Sequence, residues 1–260
     1  MNSLVMTKLT YKQQYTSMNK AEVILLKVLQ PTVQVLFFVL IITANRKVAN
    51  IGELIITNSI LSACMYSAVY AASSLSNERM LGTLKFTIVS DRTAFQTISL
   101  RSFSSIIDGL LTVFVPIIFA TVFFNITFNW REIIITVCCL ILGMIASLSL
   151  SLFIGSISLI TTDLNLFINI FMFVMNLTSG AIFPISELPL GLNKLASWVP
   201  LNNTIALTKK LLAGAKFTAS DCLTLFSREI IIAIVVLAIT YFIYQYFEHK
   251  AMKDGSLDFY

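Results

Sequence analysis

Charge is scarce in this 260-residue chain: Asp, Glu, Lys and Arg make up 12% of it, against about 25% in ordinary soluble domains. That leaves too few solvated groups to cover a globular surface of this size. Histidine is nearly absent, and His249 lies past the last apolar run among charged residues, where it reads as a solvated tail group. A nucleophile with His and acid partners and an HExxH zinc site are both excluded. No Gly-rich Walker loop is present, so the chain does not itself hydrolyse a nucleotide and is expected not to be an enzyme. Cys64, Cys138, Cys139 and Cys222 lack metal-ligand spacing. Three of them sit inside apolar runs, where thiols act as small hydrophobes, so neither a zinc site nor a disulfide framework is indicated. Proline is also rare, and three of the five, Pro184, Pro189 and Pro200, crowd into one stretch.

Apolar residues reach 57% and mean hydropathy is +0.86. Six long apolar runs, roughly 23–44, 54–76, 103–125, 133–160, 164–183 and 229–247, each approach the length that crosses a bilayer's hydrocarbon core. The expectation is an all-α polytopic membrane protein with six transmembrane helices. Residues 1–22 form an N-terminal cytoplasmic segment, 23–247 the transmembrane domain and 248–260 a cytoplasmic tail. Lys8, Lys12 and Lys20 among polar residues do not resemble a cleavable signal, so the first run is expected to stay as an anchor. Leu4, Tyr11, Tyr15 and Met18 fall roughly on one face, which suits a helix lying on the inner membrane surface; a disordered tail is the alternative. The net charge of +5 is spread over loops, which favours the bilayer surface over nucleic acid as its partner. Lys and Arg divide almost evenly between the two sides. Both termini inside is the expected orientation, with Trp130 and Trp198 at the outer boundary.

Small residues recur every fourth position at Gly143, Ser147, Ser151 and Gly155, extended by Ser158, and again at Ser59, Ala63, Ser67 and Ala71. Such rows let helices approach closely. They serve either packing within one subunit or a subunit interface or moving seam. Asn165, Asn169 and Asn176 form a polar stripe on the fifth run that should face protein or water, as interhelical hydrogen bonds or as the lining of a pathway. Asp108 is the clearest carboxylate inside a run. A buried ion pair with Arg101, seven residues earlier on the same face, competes with a role in transport.

Two segments carry a resemblance. Asn77-Glu78-Arg79-Met80-Leu81-Gly82-Thr83-Leu84, after the second run, is similar to a Glu-x(2-3)-Gly-Thr-Leu cytoplasmic loop. Ser179-Gly180-Ala181-Ile182-Phe183-Pro184, Leu188-Pro189, Trp198-Val199-Pro200-Leu201 and Leu211-Leu212-Ala213-Gly214 look like an outer re-entrant region. With Gln30-Pro31 entering the first run, the chain resembles the permease subunits of ABC-2 type exporters, the group that includes drug, bacteriocin and polysaccharide exporters. The resemblance implies that Glu78, Arg79, Leu81, Gly82, Thr83 and Leu84 belong to a coupling helix docked on an ATP-binding subunit. It implies that Gly180, Pro184, Pro189 and Pro200 shape a re-entrant hairpin between spans five and six. Two ATP-binding subunits, holding ATP and Mg, and a second permease copy or paralogous permease are the implied partners in a bacterial cell membrane. Lys85 and Phe86 depart from the family's usual acidic and aliphatic residues at those places, so the partner's groove differs to match. Aromatic residues Phe114, Phe119, Phe123, Phe167, Phe171 and Phe173 favour an amphipathic peptide or lipophilic drug as cargo. A non-transporting immunity or peptide-sensing protein and a glycan exporter are the rival readings.

Overall fold

The computed structural model describes residues 19–45, 50–80, 82, 94–157, 161, 164–189, 191–213 and 219–253, and among these every regular element is helical. The first rod joins α1 (Lys20–Ile24), a π-helical turn (Leu25–Leu29) and α2 (Gln30–Asn45). Its start is closed by Glu22, whose carboxylate accepts the Asn19 N–H at 3.0 Å. Pro31 has no N–H to give to the preceding turn, and the ladder widens just ahead of it, with the Gln30 N–H reaching back to the Leu25 carbonyl.

The long helices that follow are α3 (Ile51–Met80), α4 (Ala94–Phe124), α5 (Trp130–Ile157) and α6 (Leu164–Thr178). A short 3-10 turn (Ile185–Glu187), α7 (Leu192–Ala196) and α8 (Asn202–Leu212) lead to the last helix, α9 (Ala219–Lys253). Capping explains two of the starts: Asn50 Oδ1 accepts the Glu53 N–H at 3.2 Å, and Glu132 Oε2 accepts the Asn129 N–H at 2.9 Å.

Four helical stretches are long and apolar enough to cross a membrane: Ala21–Ala44, Ile51–Ser73, Trp130–Ile157 and Ser220–Lys250. The chain is a multi-pass membrane protein. The third run lies in α4, 31 residues long, whose described apolar stretch is Thr112–Phe124, and the fifth lies in the 15-residue α6, Leu164–Thr178. The fifth stops five residues before its expected end because Gly180 turns into the left-handed region at φ 78° and Pro184 follows. In the other direction, α9 begins ten residues before the expected sixth span and runs past it to Lys253.

The centre of the molecule is α3, with 89% of its apolar window buried, while the corresponding window of α9 is 17% buried and leaves most of that helix facing outward. The contacts fix direction. Ser67 of α3 meets Ser105 of α4 at 3.2 Å, Ala63 lies beside Gly109, and Ile56 shares a cavity wall with Phe114, so α3 and α4 are antiparallel. Cys64 of α3 lies against Gly143 of α5, and Ile56 shares that wall with Ile133, so α3 and α5 run parallel.

The rows of small residues are used inside the subunit. The α3 row faces α4: a Cβ on Gly109 would stand 3.1 Å from the Ala63 carbonyl and press on the Met144 side chain of α5. A Cβ on Gly143 would stand 2.8 Å from Cys64 Sγ and 3.3 Å from a methyl of Thr204. Close approach of this kind supplies dispersion contact, the main cohesion where lipid removes the hydrophobic drive between helices. Hydroxyls in α5 cause no conflict, since Ser147, Ser149, Ser151 and Ser156 each donate to the carbonyl three residues back at 2.6–2.9 Å.

Candidate functional site

A buried polar cluster lies at one end of the molecule, where the starts of α3, α5 and α9 meet the segment running from Ser179 to Ala213. That segment turns on Gly180, whose absent Cβ would stand 3.0 Å from Ile185 Cδ1, and passes through the 3-10 turn and α7. Asn202 then donates from Nδ2 to the Ala196 carbonyl at 2.6 Å and ties α8 back to α7. Pro200 is buried, Pro184 half-buried and Pro189 exposed. The prolines and Gly180 thus give a folded cap of short helices, each too brief to cross a bilayer.

Two charged side chains organise this cap, one from within it and one from α9. Lys209 of α8 donates from Nζ to the Gly180 carbonyl at 2.6 Å, and it is near enough to Glu53 of α3 for their charges to interact. Glu229 of α9 is fully buried, and its Oε1 accepts the Leu201 N–H at 2.6 Å. Leu201 holds φ at 77°, unusual for a residue with a side chain, while that side chain is packed into the core. The carboxylate therefore lies at the N-terminus of α8, where free N–H groups and the helix dipole favour negative charge. The Asn203 and Thr204 side chains approach the same carboxylate. Even so, Glu229 Oε2, Asn203 Nδ2 and Thr204 Oγ1 are buried without a well-formed hydrogen bond. One residue earlier in α9, the Arg228 guanidinium lies 5.8 Å from the centre of the Trp198 ring.

Sequence reading missed Glu229 and Lys209. It took Asp108 as the one clear carboxylate within a span and placed Glu229 at the edge of the last apolar run. Because α9 begins at Ala219, Glu229 lies three turns inside a helix, and burial follows from that earlier start. A signal was present: an acidic residue directly beside Ile230-Ile231-Ile232 needs a partner. Asp108 lies in α4, and its side chain is outside the described residues, as is that of Arg101.

The amide stripe falls on α6, in which only Leu164, Met175 and Thr178 are buried. Asn165 and Asn169 are exposed, while Asn176 is half-buried and donates to the Met172 carbonyl at 2.9 Å. At the opposite end from the cap, Glu78 and Arg79 lie in the last turn of α3, their side chains outside the described residues. Leu81, Thr83 and Leu84 also lie outside those residues, and Gly82 has φ 66°. An apolar cavity of about 340 Å³ opens between α3, α4 and α5, lined by Ile56, Phe114, Ile117, Val122, Phe128 and Ile133.

A search of the curated proteins finds no match to this chain. Family comparison does: the profile of ABC-2 family transporter proteins matches residues 2–245, nearly the whole length. The Gln30-Pro31 entry, the loop around Gly82 and the Gly180 to Gly214 segment all lie within that match. The chain is a membrane-spanning transport component, a permease, and belongs to the ABC-2 family of transporter proteins.

Proposed function

We propose that this chain is the membrane-spanning half of an ATP-driven exporter, working with two ATP-binding subunits and a second permease, either a copy of itself or a paralogue. The observation that carries this reading is the family match over residues 2–245 in a chain that has no nucleotide-binding motif of its own. Members of this family typically work with an ATP-binding subunit, and in this reading that subunit supplies the energy. ATP and Mg then belong to the partner.

In this reading the segment from Glu78 to Leu84 docks on the ATPase, with charges setting register and Gly82 allowing a tight backbone path. The fold supports the division of labour, since antiparallel α3 and α4 put that segment at the end opposite the cap. The cap, with Gly180, Pro184, Pro189 and Pro200, closes the outer mouth as a re-entrant region, and both termini are cytoplasmic. Asn165, Asn169 and Asn176 face the space between permeases, because amides turned to hydrocarbon would be left unpaired. Amphipathic peptides or lipophilic drugs suit a pathway bordered by Phe167, Phe171 and Phe173 alongside those amides.

Coexpression with a candidate ATP-binding subunit, reconstitution in liposomes and assay of ATP hydrolysis with added amphipathic peptides tests the reading. Stable copurification and peptide-stimulated hydrolysis are expected. Failure to retain any ATPase, with peptide binding intact, would instead favour a sensing or immunity protein.

A further inference from the structure

We infer that Arg228 and Glu229 of α9 form a two-point clasp on the turn from Trp198 to Thr204, so that the cap is positioned by the last helix and moves with it. In the chain the cap follows α6, yet the two charged contacts on this turn come from α9. Helix α6 is 15 residues long. By contrast, α9 is 35 residues long, about 52 Å at the usual helical rise, so a tilt at its far end is delivered to the turn.

The two contacts differ in kind. Arg228 over Trp198 is at the exposed rim and exchanges readily with solvent. Glu229 is completely buried and makes a short charge-assisted bond to a backbone N–H whose direction is set by the left-handed conformation of Leu201. The same carboxylate is not saturated, because Oε2 lacks a well-formed partner although Asn203 and Thr204 stand beside it. A buried carboxyl group held by backbone N–H groups at the start of α8, with one oxygen short of a well-formed bond, is a fastening that can open when water or a neighbouring donor reaches it. A fully saturated carboxylate would hold the turn permanently. Lys209 ties α8 to Gly180, so α8, Gly180 and the turn leave or stay as one body.

The positional claim stands on the contacts; its meaning for transport rests on the exporter reading above. The probe is Ser179→Cys, at a fully buried site beside Gly180, in a chain whose Cys64, Cys138, Cys139 and Cys222 are replaced by alanine. Labelling with a small water-soluble thiol reagent is measured in native membranes without nucleotide. Glu229→Gln keeps the shape and one acceptor but removes the charge, and should speed labelling at Ser179→Cys about tenfold. Glu229→Asp, which restores the charge on a shorter stem, should recover part of the protection. A buried control, Ser147→Cys in α5, should keep its slow rate. An unchanged rate at Ser179→Cys, or an equal rise at both cysteines, overturns the clasp, the second outcome meaning that Glu229 only stabilises the fold. Should Glu229→Gln fail to insert, Trp198→Leu at the exposed rim keeps the test open: it should raise labelling by a smaller factor, and no rise overturns the proposal. A parallel measurement with the ATPase trapped by vanadate separates the two ideas. No response of the unmutated clasp to nucleotide would sink the exporter reading and leave the resting-state result intact. A nucleotide response that survives Glu229→Gln unchanged would show that α9 does not drive the cap.

Discussion

Glycine at position 143 marks one of the close helix approaches in the interior of this permease. A side chain there would stand 2.8 Å from Cys64 Sγ, and the sulfur cannot retreat because Cys64 is itself fully buried in α3. Gly143→Ala should therefore cost about 1–3 kcal/mol despite its gain in helix propensity, since overpacking outweighs the smaller backbone term. Thermal unfolding in detergent measures the loss. Pairing it with Cys64→Ala removes the obstructing atom, and the double variant should recover most of the stability. If Gly143→Ala melts with the parent, close approach at this position is not what holds α3 to α5. Ser147→Leu, one turn further on at another fully buried position, should be more damaging still.

Among the elements, α6 is the one whose surroundings are incomplete. Asn165 and Asn169 stand exposed beside Phe167 and Phe173 on a helix with little contact to its own subunit. Amides do not persist against hydrocarbon when protein or water is available, so this face is expected to border a water-accessible cavity between permeases. In a background without native thiols, Asn169→Cys should react with a small charged thiol reagent in intact membranes. A cysteine at Ile234, exposed on the apolar outer face of α9, should not. Silence at Asn169→Cys and at Asn176→Cys, both at rest and with nucleotide trapped, would leave helix packing as the better account of the stripe. How far such features can be read from sequence depends on range. The membrane class, the family and the small-residue rows are legible because they repeat along single helices. The cap's short helices and the ends of α6 and α9 are not, since those ends are set by Gly180 and Pro184 and by a start at Ala219 outside the apolar run. Glu229 was hidden for a related reason: its partner, the Leu201 N–H, lies 28 residues away and exists only because Leu201 adopts a left-handed backbone.

For the whole molecule, the question is how events at one face reach the other. Helix α3 is the most buried element and runs unbroken for 30 residues, about 45 Å, from Glu53, which senses the charge of Lys209 in the cap, to Glu78 and Arg79 at the opposite end. A rigid rod of that length, packed on both sides by α4 and α5, carries a displacement without dissipating it in loops. On the proposed reading, Glu78, Arg79 and Gly82 transmit ATPase motion and never touch cargo. Separate charge reversals, Glu78→Lys and Arg79→Glu, should then weaken ATPase association by about 2 kcal/mol or more if those charges are buried on docking, and by much less if they remain at the rim. On that reading membrane insertion should stay near that of the parent, since the role assigned to both charges is docking. Gly82, at φ 66°, should tolerate no side chain without strain, so Gly82→Val should uncouple hydrolysis from export even where the ATPase remains bound. Copurification, hydrolysis and cargo efflux measured on the same reconstituted complexes distinguish lost docking from lost coupling. Normal efflux with normally bound ATPase in all three variants would remove the loop after α3 from the path of energy and leave the long α9, with its hold on the cap, as the alternative route.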